Sequence, residues 1–294
     1  MSIIMDFTEA MTLYEQSKGI PGGYQIEKKE PYWHYMSNEA WSAMRRGMSA
    51  EVEEQYGAGS GGELEEDNKH HTPPKMAAYH SSSRMIYLLS KDLDNFEFEK
   101  KISTIVGGIA NLDGYRRDQH KTIFVEAKCR EPYGHPVPEK VNNKYLPVYR
   151  YLHEMMPDVF GYNAEPFDMH YSIVTFFCHS EAVKGFDIKQ MICHLLAVAG
   201  SLLKVKELPE RILFLYLIFD PNVLPLKVEG RKQVLEMYRR TLADATNLDM
   251  ESMFRHLVDY LTTKDNPLPD THAKALKKRF YFKLCSQRNY LCNF

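Results

Sequence analysis

The run Ile212–Phe219, inside RILFLYLIFDP, is apolar at every position. Side chains of a strand alternate between two faces, so such a run has no polar face to offer water. It requires a sheet covered on both sides. MHYSIVTFFCH, residues 169–179, reads the same way one helix earlier. Between them FDIKQMICHLLAVAGSLLKV repeats apolar residues at Met191, Leu195, Val198 and Leu202, which is helical spacing. Strand, helix and strand together predict a right-handed parallel crossover within one sheet. Two amphipathic helices, GRKQVLEMYRRTLADAT and MESMFRHLVDYL, follow.

With 294 residues and 44% apolar content, the chain can build one large core or one core with an appendage. No run of about 18 apolar residues predicts a membrane span. The N-terminus has Asp6 and Glu9 early and no basic leader segment, so no secretory signal is read there. A cytoplasmic protein without a membrane partner is expected. Cys129, Cys178, Cys193, Cys285 and Cys292 form no CxxC pair and read as reduced thiols, not a disulfide framework or zinc cage. The formal charge of −2 excludes a globally basic nucleic-acid coat but leaves a local basic groove open.

Residues 1–56 read as a mainly helical N-terminal appendage weighted with Tyr32, Trp33, Tyr35 and Trp41. Residues 57–75 carry glycines, then acids, then two prolines, and read as a flexible linker or loop. His70 and His71 fall within it and read as solvated. Residues 76–294 form the main body. A helix capped by one of Ser81, Ser82 or Ser83 leads into FEFEKKI, which alternates as a half-buried strand does. IANLDGY and TIFVEAKC, joined by the polar turn RRDQHK, read as adjacent antiparallel strands. HPVPEKVNNKYLPVY reads as a loop, RYLHEMM as a short helix, and KALKKRFYFKLCSQRNY as an amphipathic closing helix with a basic, aromatic face. The fold expected is α/β, with a mixed β-sheet flanked by helices; Ser172–Phe177 and Ile212–Phe219 are placed in the sheet of the two paired strands.

Those paired strands carry the candidate chemistry. Alternation puts Asn111 and Asp113 on one face of the first, and Phe124, Glu126 and Lys128 on one face of the second. Two carboxylates and an ammonium then converge at a strand end. The Ala127 carbonyl, between Glu126 and Lys128, is a further oxygen for a hard cation such as Mg²⁺, with Mn²⁺ as its substitute. Such an ion neutralises a phosphate and acidifies its own water, while Lys128 orients that water or stabilises the transition state.

LDGY, a hairpin turn and FVEAK resemble the PD-(D/E)XK nuclease superfamily. Asp113, Glu126 and Lys128 match its motif, and His80 to Pro221 cover the resemblance. The run HSSSRMIYLL with LDGY and FVEAKCREPY is most similar to bacterial restriction-endonuclease-like proteins. Asn111-Leu112 stands where the family name has its proline. The resemblance implies a restriction-endonuclease-like core and a metal-dependent deoxyribonuclease, in particular a restriction-type endonuclease cutting DNA, with a homodimer as its candidate assembly. The alternative is a catalytically inactive DNA-binding or assembly protein of the same fold; an unrelated α/β interaction protein comes third. Gln190, with His194 one turn later, Glu99 (beside Glu97) and Glu131 are auxiliary site candidates. Arg116, Arg117, Lys121 and Arg130 are read around the site, as phosphate contacts or, for the first three equally, as a solvated turn. Cys129 reads as a buried free thiol.

Overall fold

The computed structural model describes residues 3–59, 62–134, 137–263 and 267–294, with the backbone alone at Val228. The chain opens with α1 (Ile3–Ser17), a hairpin of β1 (Gly22–Tyr24) and β2 (Tyr32–Met36), then α2 (Asn38–Arg46) and α3 (Ala50–Ala58). The next helix, α4, spans Ser82–Ser90. Its cap is Ser81, whose hydroxyl accepts from the Arg84 amide at 3.1 Å; Ser37 and Ser49 do the same for α2 and α3. Each hydroxyl satisfies an amide that a first helical turn leaves unpaired.

After α4 come β3 (Phe96–Ser103), β4 (Ile109–Arg117) and β5 (Lys121–Lys128), an antiparallel meander. Then follow β6 (Glu139–Asn142), α5 (Leu146–Met155), β7 (Gly161–Pro166), β8 (Tyr171–Cys178), β9 (Glu181–Ala182) and α6 (Ile188–Leu202). The chain closes through β10 (Arg211–Ile218), α7 (Val228–Asn247), α8 (Met250–Thr262), α9 (Asp270–Arg279) and β11 (Phe280–Ser286). The fold is mixed α/β. Its main sheet has the order β11-β10-β5-β4-β3, with β10 parallel to both β5 and β11.

β10 sits inside this sheet as its composition requires. Ile212, Phe214, Tyr216 and Ile218 enter one core cluster, and Leu213, Leu215, Leu217 and Phe219 enter the other. α5, α6 and α8 cover the first face; α1, α4 and the β1–β2 hairpin cover the second. No helix among the described residues is long and apolar enough to cross a membrane.

Three expectations are corrected. Ser172–Phe177 lies not in the main sheet but in a second one, where β8 pairs with β6, β7 and β9. β5 is already flanked by β4 and β10, and β8 buries only alternate residues: Ser172, Val174, Phe176 and Cys178. Its apolar run is continuous, yet Ile173 and Phe177 stay half-buried. The β8–α6–β10 segment therefore joins two sheets and is not a crossover within one. The C-terminal segment is not one closing helix either. It leaves α9 at Arg279 and becomes β11, because Phe280, Phe282 and Leu284 turn to the core beside β10. Finally, the stretch read as a loop after Tyr133 contains β6 and the start of α5.

Residues on both sides of the 57–75 segment share one core. Phe7, Met11, Trp41 and Tyr56 pack in the cluster that holds Ile123, Val125 and Leu215, and Leu64 within the segment is buried there too. Ser60 and Gly61 lie outside the described residues. Phe7 is fully buried, its ring centroid 4.5 Å from that of Tyr133 and 6.0 Å from that of Phe219. Phe7→Ala is expected to lower the unfolding free energy by about 3–5 kcal/mol, within a single transition in chemical denaturation. An unchanged main transition would show that the first 56 residues fold apart from the sheet.

Candidate active site

β4 and β5 pair from Arg117↔Thr122 to Gly114↔Val125, and the ladder stops there. The next facing positions are Asp113 and Glu126. The ladder between β3 and β4 is interrupted at the same level: pairs run Phe98↔Gly114 and then Lys100↔Leu112, skipping Glu99 and Asp113. Glu99 has a left-handed φ of 49°. Across this irregularity the faces exchange, so Phe98 packs in one cluster while Ile102 and Leu112 pack in the other. A local break of this kind re-aims side chains. Asp113 Oδ2 consequently accepts from the Ala127 amide at 2.6 Å, filling the place of a ladder bond.

Glu126 and Lys128 point toward α6. They are 1% and 7% exposed. Lys128 Nζ lies 2.7 Å from Glu126 Oε1 and donates to Gln190 Oε1 at 2.6 Å. Gln190 and His194 share a face of α6 because they are one turn apart. The helix start is set by Asp187, whose Oδ1 accepts from the Gln190 amide at 2.9 Å. His194 Nδ1 stands 3.3 Å from Glu126 Oε2, yet neither atom has an aligned hydrogen-bond partner. Tyr216, facing Glu126 on β10, brings a fully buried hydroxyl with no hydrogen-bond partner.

The electrostatics follow from this burial. Desolvation, then the charge of Glu126, pushes the Asp113 carboxyl well above its ordinary range; Lys128 and the Ala127 amide act against them. Burial raises Glu126 to about 7 although Lys128 opposes it. Burial drives His194 down to about 3, with Lys128 adding to the effect, so its ring is neutral near neutrality. For Lys128 burial pulls down, but Glu126 and Glu131 outweigh it and hold the amine well above its usual range. Lys128 is therefore an ammonium, an electrostatic group and not a base.

Among the described residues, no three His, Cys, Asp or Glu side chains are arranged around a common ion position. Asp113 and Glu126 are a pair. Two carboxylates of raised proton affinity, Asp113 raised in part by the charge of Glu126, with Glu126 Oε2 buried and without a hydrogen-bond partner, fit a Mg²⁺ ion, since this ion takes one or two carboxylates and keeps waters. Ala127 touches this pair through its amide.

Other candidates fall at varying distances. Glu131 accepts from the Cys129 and Arg130 amides, both at 2.9 Å, and from Ser82 at 3.2 Å, so it ties α4 to the end of β5. Glu99 turns its side chain to Gly59, where a Cβ would stand 2.9 Å from Glu99 Oε2. The expected cluster of basic residues does not form. Lys121 opens β5 and donates to the Asn293 carbonyl, and Arg116 donates to that of Asp94. Seven residues of extended strand put Lys121 roughly 23 Å from Lys128. Arg130 alone is near. Cys129 is buried, its thiol pushed well above the ordinary range by burial. His70 and His71 are exposed. Asp187 and Tyr216 were not singled out from sequence; FDIKQ at a helix start and the lone hydroxyl in ILFLYLIF were their signals.

A cleft of about 460 Å³ lies over the site, lined by Asn111, Asp187, Gln190 and His194 but not by Asp113, Glu126 or Lys128 themselves. Asp113→Asn keeps an acceptor for the Ala127 amide and removes the desolvated charge. A carboxyl raised in the fold destabilises it above the unfolded value near 3.8, fully so above the folded value. The variant is therefore expected to melt higher than wild type at pH 8 in EDTA, and the gain should vanish near pH 4. Thermal melts at the two pH values measure this, and a gain independent of pH would assign it to something other than the charge. No family model, no curated protein and no solved structure matches the chain.

Proposed function

We propose that the chain is a metal-dependent phosphodiesterase of the PD-(D/E)XK type that hydrolyses DNA. The observation that carries this reading is the meeting of Asp113 and Glu126 where two strands lose their ladder, with Lys128 held beside them by Glu126 and Gln190. The order of α4, the antiparallel β3–β5, α6 and the parallel β10 also supports a restriction-endonuclease-like core.

In this reading Asp113 and Glu126 hold Mg²⁺ or Mn²⁺, which when bound supplies charge neutralisation at the phosphate and a more acidic water. Lys128 stabilises charge developing on the phosphate, as its raised proton affinity suits. Gln190 keeps that ammonium aimed. His194 faces the second oxygen of Glu126 without bonding it, and Glu131 anchors the strand end. The runner-up, an inactive DNA-binding or assembly protein of the same fold, draws on the near-complete burial of Glu126 and Lys128.

Purified protein is expected to cut plasmid, linear or single-stranded DNA with Mg²⁺ or Mn²⁺ and not in EDTA. Glu126→Gln and Asp113→Asn should lose cleavage and weaken metal binding in calorimetry. Lys128→Ala should slow cleavage by about 10²–10³ while the metal still binds. Wild-type protein that binds DNA and cuts none with either metal favours the inactive reading. Variants that cut as fast as wild type put the chemistry elsewhere.

A further inference from the structure

The hairpin between β7 and β8 ends in three outward apolar side chains: Phe167, Met169 and Tyr171 are 57%, 83% and 36% exposed. The turn that carries them is pinned. Asp168 Oδ1 accepts from the His170 and Tyr171 amides at 2.7 and 2.8 Å, and the Phe167 and Asp168 amides both donate to the Tyr171 carbonyl at 3.0 Å. Asn143 ties the turn to the end of β6, its Nδ2 donating to the Met169 carbonyl at 3.2 Å and its amide to that of His170 at 2.8 Å. A turn held by this many bonds keeps in water three groups that gain nothing there, which marks a surface built for contact.

The tip is continuous with the cleft. Lys140 Nζ lies 4.0 Å from the Phe167 ring centroid and 4.6 Å from that of Tyr171, and Lys140 also lines the cleft. Lys189 and Tyr145 line it too, and its floor includes Gln190, which holds Lys128. Rings and ammonium groups thus adjoin a cleft whose lining includes Gln190 and His194, the residues that face the proposed catalytic centre.

We propose that this surface takes a nucleic-acid strand with unpaired bases, the bases stacking on Phe167 and Tyr171 while the backbone descends the cleft. The proposal rests on the phosphodiesterase reading for its chemistry and names the substrate class. Depth is the argument against continuous duplex. Glu126 and Lys128 lie behind Gln190 and His194, so a phosphate must enter the cleft to reach them. Duplex DNA stays stiff over about 150 base pairs and does not fold into such a space, whereas an unpaired strand bends freely. A volume of about 460 Å³ is that of a small-molecule pocket. Base stacking on aromatic rings is tolerant of sequence. Lys140 has Asp168 at 3.6 Å and Lys189 has Glu139 at 3.2 Å, so stacking outweighs net charge in the affinity.

The test is fluorescence anisotropy with the full chain in EDTA, using one labelled mixed-sequence oligodeoxynucleotide either single-stranded or annealed. The single strand is expected to bind at least about tenfold tighter, with a shallow salt dependence. Phe167→Ala and Tyr171→Ala should each weaken it by about five- to a hundredfold at unchanged melting temperature, and Phe167→Trp should keep the affinity. Equal affinity for duplex overturns the proposal, as do ring variants that melt normally and bind as wild type. Absence of any nucleic-acid binding, the result expected of a protein-docking tip, overturns it as well. Because binding is read without metal, the two readings separate: tight single-strand binding with no cleavage under either metal sinks the phosphodiesterase reading alone, and cleavage of duplex without single-strand preference sinks this one alone.

Discussion

Two-sided burial of β10 is the constraint on which the rest depends. Eight apolar residues with no polar face force cover on both sides, and the parallel neighbour β5 is drawn into the same dry layer. Any charge on the α6-facing side of β5 is then buried. Glu126 and Lys128 tolerate this because they neutralise each other at 2.7 Å and because Gln190 and His194 face them from α6. An unpaired charge in that position would cost several kcal/mol. The polar face of α6 and the charged end of β5 are thus two halves of one solution, a polar seam through an apolar interior.

The second constraint is where pairing stops. Regular sheets satisfy their own amides, so a functional group placed within one has little to bind. Here the β3–β4 and β4–β5 ladders fail at the same level, at Glu99, Asp113 and Glu126. The Ala127 amide finds its acceptor in a side chain instead of a strand. The break brings Asp113 next to Glu126 and leaves both with raised proton affinity. That arrangement costs stability in the absence of a cation, and such local costs cluster at functional sites.

The second sheet gives the site its surroundings. β6, with α5 and the end of β4, stands beside α6 and makes a cleft where the main sheet alone would present only a helix face. The exposed rings of the β7–β8 tip lie on a turn held by several hydrogen bonds, beside Lys140 of β6. In the reading proposed for this chain, the buried centre and this rim decide together what reaches the phosphate-cleaving groups.

Much of this was legible in the chain. The apolar run at 212–219 determined a central strand, the serines at 81–83 marked a helix start, and alternation over 122–129 determined that Glu126 and Lys128 share a face. These follow from local periodicity and capping, which depend on neighbours in sequence. The composition of 169–179 did not determine its sheet, because an apolar run reports burial and not which edge is free to pair. Lys121 and Lys128 look close in sequence but sit at opposite ends of an extended strand. The break at Asp113, the approach of His194 and Tyr216 to Glu126, and the cleft between β6 and α6 were decided only by tertiary packing. Each depends on where separate elements meet, and no local pattern encodes that distance.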